Sequence, residues 1–228
     1  TNDMIRKLLV IAGLIISCGA QASIISVTGQ ATYNGSAAGV DLGGNQAIGS
    51  TILGYDERQG VAIAANTVEV DYLFGTNLTI GTGVNGISDA NSSETLGSGT
   101  YDSHILHLDT SGPSVSITSA TFEFDGSIVA LIVSNFGSAG MLLNLSDDDF
   151  GNAVNYVGGK SRRLENDDGP LEILAAGNKL QLNGISTFGP IDEVRVITTA
   201  TPVPTPAPLL MFAAGLVGIS FSKRRRQA

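Results

Sequence analysis

The middle of the chain alternates hydrophobic and polar residues with a period of two, which is the spacing of a β-strand with one buried face. The clearest case is the stretch 114–118 (SVSIT), in which Val115 and Ile117 are predicted to point into a core. Helical periodicity is hardly visible between Ser23 and Thr201. Three more segments share the period-two spacing and predict buried pairs: Val68 with Val70, Leu180 with Leu182, and Val194 with Val196.

Other segments predict strands through their composition. Residues 127–133 (SIVALIV) are a continuous apolar run rich in β-branched residues, as expected for a central strand buried on both faces. Residues 103–108 (SHILHL) predict a further strand, and residues 171–176 fit either a strand or a short helix. Glycine-rich turn signals separate these segments, and Asp125-Gly126 predicts a hairpin between its flanking strands.

Together the patterns predict an all-β ectodomain over residues 23–200, with a β-sandwich or jelly-roll-like architecture. An N-terminal signal helix and a short C-terminal hydrophobic helix are predicted to flank it. A β-solenoid is the alternative fold, although no fixed repeat period is visible in the sequence.

The N-terminal segment has the order of a secretory signal peptide over residues 4–22, with Met4 as the expected start. Arg6 and Lys7 precede an apolar run, and Ala20-Gln21-Ala22 forms an A-x-A site that predicts cleavage before Ser23. Two alternatives stay open. Residues 15–18 (IISC) would let Cys18 be lipidated and become the new N-terminus, or the segment could be a buried helix.

The C-terminal segment has three parts. Val203-Pro204-Thr205-Pro206 opens a proline-rich stretch that predicts an extended linker. The apolar run Leu209–Phe221 is 13 residues long, which is shorter than the roughly 20 residues of a comfortable membrane span. The basic cluster Lys223-Arg224-Arg225-Arg226 favours a cytoplasmic end and an external ectodomain. This combination indicates that the C-terminal segment stays in the membrane only temporarily.

Residues 201–228 resemble the PEP-CTERM sorting signal of Gram-negative bacteria. The resemblance rests on the V-P-x-P element, the glycine-containing apolar run with Gly215 and Gly218, and the terminal arginine cluster. It implies recognition and cleavage by an exosortase, an integral-membrane cysteine protease of bacteria that make exopolysaccharide. Thr205 stands where the family usually has glutamate. An ordinary single-span anchor is the alternative for this segment.

Residues 122–198 resemble the body of a group of PEP-CTERM proteins without an established role. The closest correspondence lies in the stretches SDDDFG and DEVRVIT. This second resemblance implies a shared fold and no particular chemistry.

The charge of the body limits its partners. Six of the 12 basic residues and one of the 21 acidic residues lie outside residues 23–202, which leaves this region with a formal charge of −14. Nucleic acids and anionic lipids are recognised through lysine and arginine, so nucleic-acid binding is not expected. The only cysteine is Cys18, so the predicted ectodomain contains neither a disulfide nor a cysteine-ligated metal.

No catalytic residues are predicted. Neighbours on a strand point to opposite faces, which separates Asp102 and His104 from Ser103, and likewise separates His104 from His107. The sequence also lacks a G-x-S-x-G element and any distinctive pair of carboxylates. We therefore expect a protein that is not an enzyme.

Calcium is the one cofactor that the sequence suggests. Asp147, Asp148 and Asp149 could supply oxygen ligands, and residues 166–168 form a second acidic loop. Neither stretch has the spacing of an established calcium loop, and a solvated turn explains both equally simply.

The sequence thus predicts a non-catalytic surface or extracellular-matrix protein, exported by a Gram-negative bacterium and associated with exopolysaccharide or biofilm. Signal peptidase and an exosortase are its expected processing enzymes, and its contact with the membrane is expected to be transient. The alternative is a carbohydrate- or calcium-binding, lectin-like module. Its sugar contacts would come from the tyrosines of the ectodomain: Tyr33, Tyr55, Tyr72, Tyr101 and Tyr156.

Overall fold

A computed structural model of the chain describes residues 23–38, 40, 42, 50–85, 94–109, 115–133, 143, 146, 149–150, 164, 168–187 and 192–201. Within these residues the structure is almost entirely β, which confirms the predicted all-β class. The strands are β1 (Ile24–Gly29), β2 (Ala31–Ser36), β3 (Ile52–Ile63), β4 (Glu69–Val70), β5 (Tyr72–Leu73), β6 (Glu94–Thr95), β7 (Gly99–Leu108), β8 (Val115–Phe124), β9 (Ile128–Ile132), β10 (Leu171–Ile173), β11 (Lys179–Thr187) and β12 (Asp192–Thr199).

The strands form two main sheets, which we call the small sheet and the large sheet. The small sheet has the order β1-β8-β11-β10, and the large sheet has the order β2-β3-β7-β12-β9-β5. The pairs within them are antiparallel except for β2 with β3, which run parallel. Strands β4 and β6 form a separate antiparallel pair.

The two main sheets share one hydrophobic core. Phe122 and Phe124 of the small sheet belong to the same buried cluster as Leu106 and Val196 of the large sheet. The sheets approach so closely at Gly54 that a Cβ there would lie 2.6 Å from Cε1 of Phe122. We call the side of the large sheet that faces this core its inner face.

The opposite, outer face of the large sheet is also covered. Ala37 and Leu42 pack there against Tyr55 and Ile105. A second cluster joins Ile197 to residues from the β4–β6 region and to residues farther along the chain; its other members include Val68, Val70, Leu96, Leu143 and Phe150. The central strands of the large sheet are therefore buried on both faces.

Alternation predicts four buried pairs. The structure confirms three of them in full and the fourth, Val115 with Ile117, in part. Ile117, Val68, Val70, Leu180, Leu182, Val194 and Val196 are buried, and Val115 is partly buried against the core. Residues 128–132 form β9 between β12 and β5, and residues 171–173 form a strand rather than a helix.

The predicted hairpin at Asp125-Gly126 is wrong. Strand β8 before it pairs with β1 and β11 in the small sheet, whereas β9 after it pairs with β12 and β5 in the large sheet. The turn therefore crosses from one sheet to the other. It packs so tightly on the end of β12 that a Cβ at Gly126 would lie 2.1 Å from the carbonyl oxygen of Thr199.

Several predicted segments lie outside the described residues. These are the leader (4–22), residues 202–228 of the tail, and both predicted flanking helices. Among the residues that the structure does describe, no helix has the length and apolar character needed to cross a membrane.

Candidate functional site

Strand β7 carries polar side chains to both faces of the large sheet. Asp56 of β3 and Val196 of β12 flank His104 in register, and this row lies on the inner face. Ser103 and His107 point to the outer face, as alternation on a strand requires. Two buried polar networks result, one on each face, and each face carries one of the two histidines of the sequence.

The inner network centres on His104, which is completely buried. Its Nδ1 lies 2.8 Å from Oδ1 of Asp56, and its Nε2 lies 3.1 Å from Oγ1 of Thr198. The imidazole ring also packs against Phe124, with ring centroids 4.7 Å apart. Both ring nitrogens therefore have partners, which satisfies a side chain that would be costly to bury otherwise.

Asp56 also accepts three hydrogen bonds from residues in the first part of the domain. The hydroxyls of Tyr33 and Ser23 donate to its Oδ2 at 2.5 and 2.9 Å, and the backbone N–H of Ile24 donates to its Oδ1 at 3.1 Å. Burial alone would raise the pKa of Asp56, but the hydrogen bonds from His104 and Tyr33 more than offset it, and the pKa is lowered. The carboxylate is thus ionised at neutral pH.

The order hydroxyl, imidazole, carboxylate in Thr198, His104 and Asp56 is the order of a nucleophile, its base and the group that orients the base. A nucleophile must also reach its substrate. Thr198 and His104 are both 0% exposed, so the hydroxyl has no contact with solvent. We therefore interpret the three residues as a satisfied structural network of the core.

A second group of carboxylates lies at the same end of the domain. Oδ1 of Asp102 accepts the N–H of Gly60 at 2.6 Å, and the hydroxyl of Thr201 donates to Oδ2 of Asp125 at 3.2 Å. The backbone of Thr201 also lies close enough to Asp102 to lower its pKa. Burial is nevertheless the largest influence, and together with the charge of Asp125 it raises the pKa of Asp102. We call Asp102 and Asp125 the acid pair.

The outer network centres on a buried ion pair between Arg195 and Glu57. Nη2 of Arg195 lies 2.6 Å from Oε1, and its Nε lies 2.8 Å from Oε2, so the contact is bidentate. The hydroxyl of Ser103 donates to Oε2 at 2.5 Å. The remaining Nη1 donates to the carbonyl oxygen of Leu143 at 2.9 Å and to the hydroxyl of Ser146. Arg195 thereby attaches residues 143 and 146 to the sheet.

A second outward pair lies beside this network. His107 and Glu193 are opposite each other on β7 and β12, and Nδ1 of the histidine lies 2.8 Å from Oε1 of the glutamate. Both side chains are completely buried. The two histidines of the sequence thus each pair with a carboxylate, on opposite faces of the large sheet.

The predicted site residues are only partly described. Of the three acidic ligands proposed for calcium, Asp149 is described; its carbonyl oxygen accepts a hydrogen bond from Nη1 of Arg58 at 2.9 Å. Asp147 and Asp148 lie outside the described residues, as do Ala20, Ala22, Val203–Pro206 and Lys223–Arg226. Within the described part of the chain, no three His, Cys, Asp or Glu side chains are grouped to hold a metal.

The tyrosines proposed for sugar contacts are mostly turned inward. Tyr55 and Tyr72 are buried, and Tyr101 is partly buried with its hydroxyl bound to the carbonyl oxygen of Gly97. Tyr33 is 37% exposed, although its hydroxyl is bound to Asp56. Tyr156 lies outside the described residues.

Sequence reasoning missed Arg195 and Glu57. Arg195 alternates with Val194 and Val196, so a polar side chain in that position predicts a solvent-exposed face. The signal against this interpretation was weak: Arg195 is a charged residue within a β-branched run, Val194–Ile197. The sequence gives no sign that other parts of the chain cover this face.

Comparison of the chain with protein-family models, with curated proteins and with solved structures found no match.

Proposed function

We propose that the chain is an exported, non-catalytic surface or extracellular-matrix protein. Its β-sandwich ectodomain would lie between a removable leader and an exosortase sorting tail. The observation that carries the proposal is where the fold begins and ends. Strand β1 begins at Ile24, directly after the predicted cleavage before Ser23, and β12 ends at Thr199, shortly before Val203. Both predicted cuts would therefore leave every described strand intact.

The contacts at the two ends of the fold support the same proposal. The backbone N–H of Asp125 donates to the carbonyl oxygen of Ser23 at 3.2 Å, and the carboxylate of Asp125 binds the hydroxyl of Thr201. The first and last parts of the domain thus meet at one residue. Removal of the flanking segments on both sides would leave this closure in place.

The buried networks support a non-catalytic role. The imidazole of His104 and the ion pair of Arg195 with Glu57 are completely buried, as expected of groups that stabilise a fold. The formal charge of −14 over residues 23–202 suits a soluble component of a hydrated matrix.

Intact mass of the protein from its native host tests the proposal, with cell-associated and released pools measured separately. We expect a mature form that starts at Ser23 and lacks Leu209–Ala228. A form that retains this tail, or starts at a lipidated Cys18, would overturn the sorting proposal.

A substitution tests the role of the V-P-x-P element directly. Changing Pro204 and Pro206 to alanine is expected to leave a membrane-held precursor in a host with an exosortase. Pro208→Ala is the matched control, because Pro208 lies in the same stretch but outside the element. Normal release of the double variant would contradict the proposal.

The alternative, a lectin-like module, is favoured by the exposed ring of Tyr33. A glycan array on the full chain tests it, because only this alternative expects saturable sugar binding. Tyr33→Ala should then abolish binding, while Tyr33→Phe, which keeps the stacking ring, should retain it. Absence of binding to any glycan would remove this candidate.

A further inference from the structure

We propose that Asp102 and Asp125 bind a calcium ion at the end of the domain where its first and last residues meet. This site is separate from the acidic stretch at Asp147–Asp149, and the inference does not depend on export or sorting. It rests on the burial of the acid pair and on the oxygen atoms that surround it.

Both carboxylates have an oxygen that the described protein leaves unsatisfied. Oδ2 of Asp102 and Oδ1 of Asp125 are buried and have no hydrogen-bond partner among the described residues. Asp102 as a whole is only 1% exposed, so bulk water cannot solvate its second oxygen. A buried, unpaired carboxylate is strongly unfavourable, which calls for a cation or a proton at this position.

The protein supplies no cationic side chain for this purpose within its described residues. Neither member of the acid pair makes an ion pair with a described lysine or arginine. His104 also lies close enough to influence Asp102, but its two ring nitrogens are already bound to Asp56 and Thr198.

Thr201 brings the two carboxylates together. Its hydroxyl binds Asp125, and its backbone lies next to the carboxylate of Asp102. The carbonyl oxygen of Ser23 is also at this position, 3.2 Å from the backbone nitrogen of Asp125. The atoms available here as calcium ligands are therefore carboxylate, hydroxyl and carbonyl oxygens.

This set of donors selects calcium among the common divalent ions. Calcium takes 6–8 oxygen ligands in irregular geometries, whereas zinc favours nitrogen and sulfur, and magnesium requires a near-octahedral shell with several waters. A bound calcium ion would neutralise the acid pair and link Thr201 at the end of the domain to Asp125, which also contacts its start.

Thermal unfolding of the full chain in mild detergent tests the proposal, after removal of calcium with a chelator. Adding calcium to about 100 times its Kd is expected to raise the Tm by about 5–10 °C. Titration calorimetry with calcium alone should show saturable binding to the wild-type chain. Magnesium at the same concentration is expected to give a much smaller shift.

Two sets of variants locate the site. Asp125→Asn, at a half-buried position, is expected to fold and to lose most of the calcium-dependent shift, and Asp102→Asn should lose it as well. The control changes Asp147, Asp148 and Asp149 together to asparagine and should keep the full shift.

Three results would overturn the proposal. One is a wild-type chain without saturable calcium binding, and another is a shift that disappears in the Asp147–Asp149 control but survives in Asp125→Asn. The third is a calcium-independent chain whose stability increases as the pH falls from 7 to 5, since the acid pair would then hold a proton. Calorimetry on the wild-type chain tests for binding and Asp125→Asn locates it, so the proposal can be decided even if Asp102→Asn fails to fold.

Discussion

Asp56 and Glu57 are neighbours in the chain, yet the protein stabilises their buried charges in two different ways. Asp56 points to the inner face and is held by hydrogen-bond donors: an imidazole, two hydroxyls and a backbone N–H. Glu57 points to the outer face and is held mainly by the bidentate guanidinium of Arg195. The same strand thus contains one carboxylate held by several hydrogen-bond donors and one held chiefly by a bidentate ion pair, with a further hydrogen bond from Ser103.

The two faces should therefore differ in how much stability they lose when one partner of the carboxylate is removed. A network with many donors loses one hydrogen bond when one donor is removed. A paired charge leaves a full uncompensated charge in the core when its partner is removed. The outer face should therefore be the more sensitive to a single substitution.

Arg195→Met gives the largest expected effect. We expect a loss of about 3–5 kcal/mol in the free energy of unfolding, because Glu57 would stay buried after losing its bidentate partner. Urea denaturation of the full chain measures it. Lys179→Met removes a lysine paired with Glu123 at a partly exposed position, and should cost at most about 1 kcal/mol.

A double variant removes both charges of the Arg195–Glu57 ion pair. The double variant Arg195→Met with Glu57→Leu is expected to be clearly more stable than Arg195→Met alone, since no unpaired charge remains. A double variant as unstable as the single one would show that packing, and not charge, explains the loss.

Asp56→Asn is expected to cost about 1–3 kcal/mol at pH 7, because it replaces a buried ionised acceptor with an amide. The pKa of Asp56 is lowered in the folded state, so its contribution is present above the unfolded value of about 3.9 and is lost as the pH falls through the folded pKa. The difference between wild type and variant should therefore shrink below about pH 4. Urea denaturation across this range measures it, and a pH-independent difference would contradict the assigned network.

Gly54→Ala tests whether the fold needs the close contact of the two main sheets at this position. The new methyl group would meet Phe122 and Ile24 at less than 3.0 Å, and we expect a loss of about 1–3 kcal/mol. Gly97→Ala is the matched control, because its nearest neighbour, the hydroxyl of Tyr101, is 3.9 Å away. Equal stability of the two variants, measured by thermal unfolding, would show that the sheets can separate at this point.

Tyr33→Phe should have the smallest effect, about 0.5–1.5 kcal/mol, since Asp56 keeps its other donors. The same urea measurement serves for it. If Tyr33→Phe lowered the free energy of unfolding as much as Arg195→Met, Asp56 would depend on one donor as strongly as Glu57 depends on Arg195.

Local patterns predicted most of the strands because alternation reports directly on which side chains are buried. Leu180 with Leu182 and Val194 with Val196 needed no knowledge of the rest of the fold. The Asp125-Gly126 turn was misassigned because turn residues indicate a change of direction and do not say which sheet the next strand joins.

The polar groups of the core were beyond prediction for a related reason. Glu57 and Arg195 are 138 positions apart, and Asp102 lies in β7 whereas Asp125 follows β8. Nothing local distinguishes a charged residue that alternates with valine on an open face from one that other parts of the chain cover. These contacts arise from the order of strands in the sheets, which the sequence pattern leaves open.

The position of β12 has a mechanical consequence. This strand leads directly to Thr201 and is hydrogen-bonded along one edge to β7 and along the other to β9. A force applied through the residues that follow Thr201 would pull β12 along its own axis, so the ladders on both edges would carry the load together. A domain tethered at this end would be loaded through a strand that is paired on both edges, and shear would have to break many hydrogen bonds at once before the fold opened.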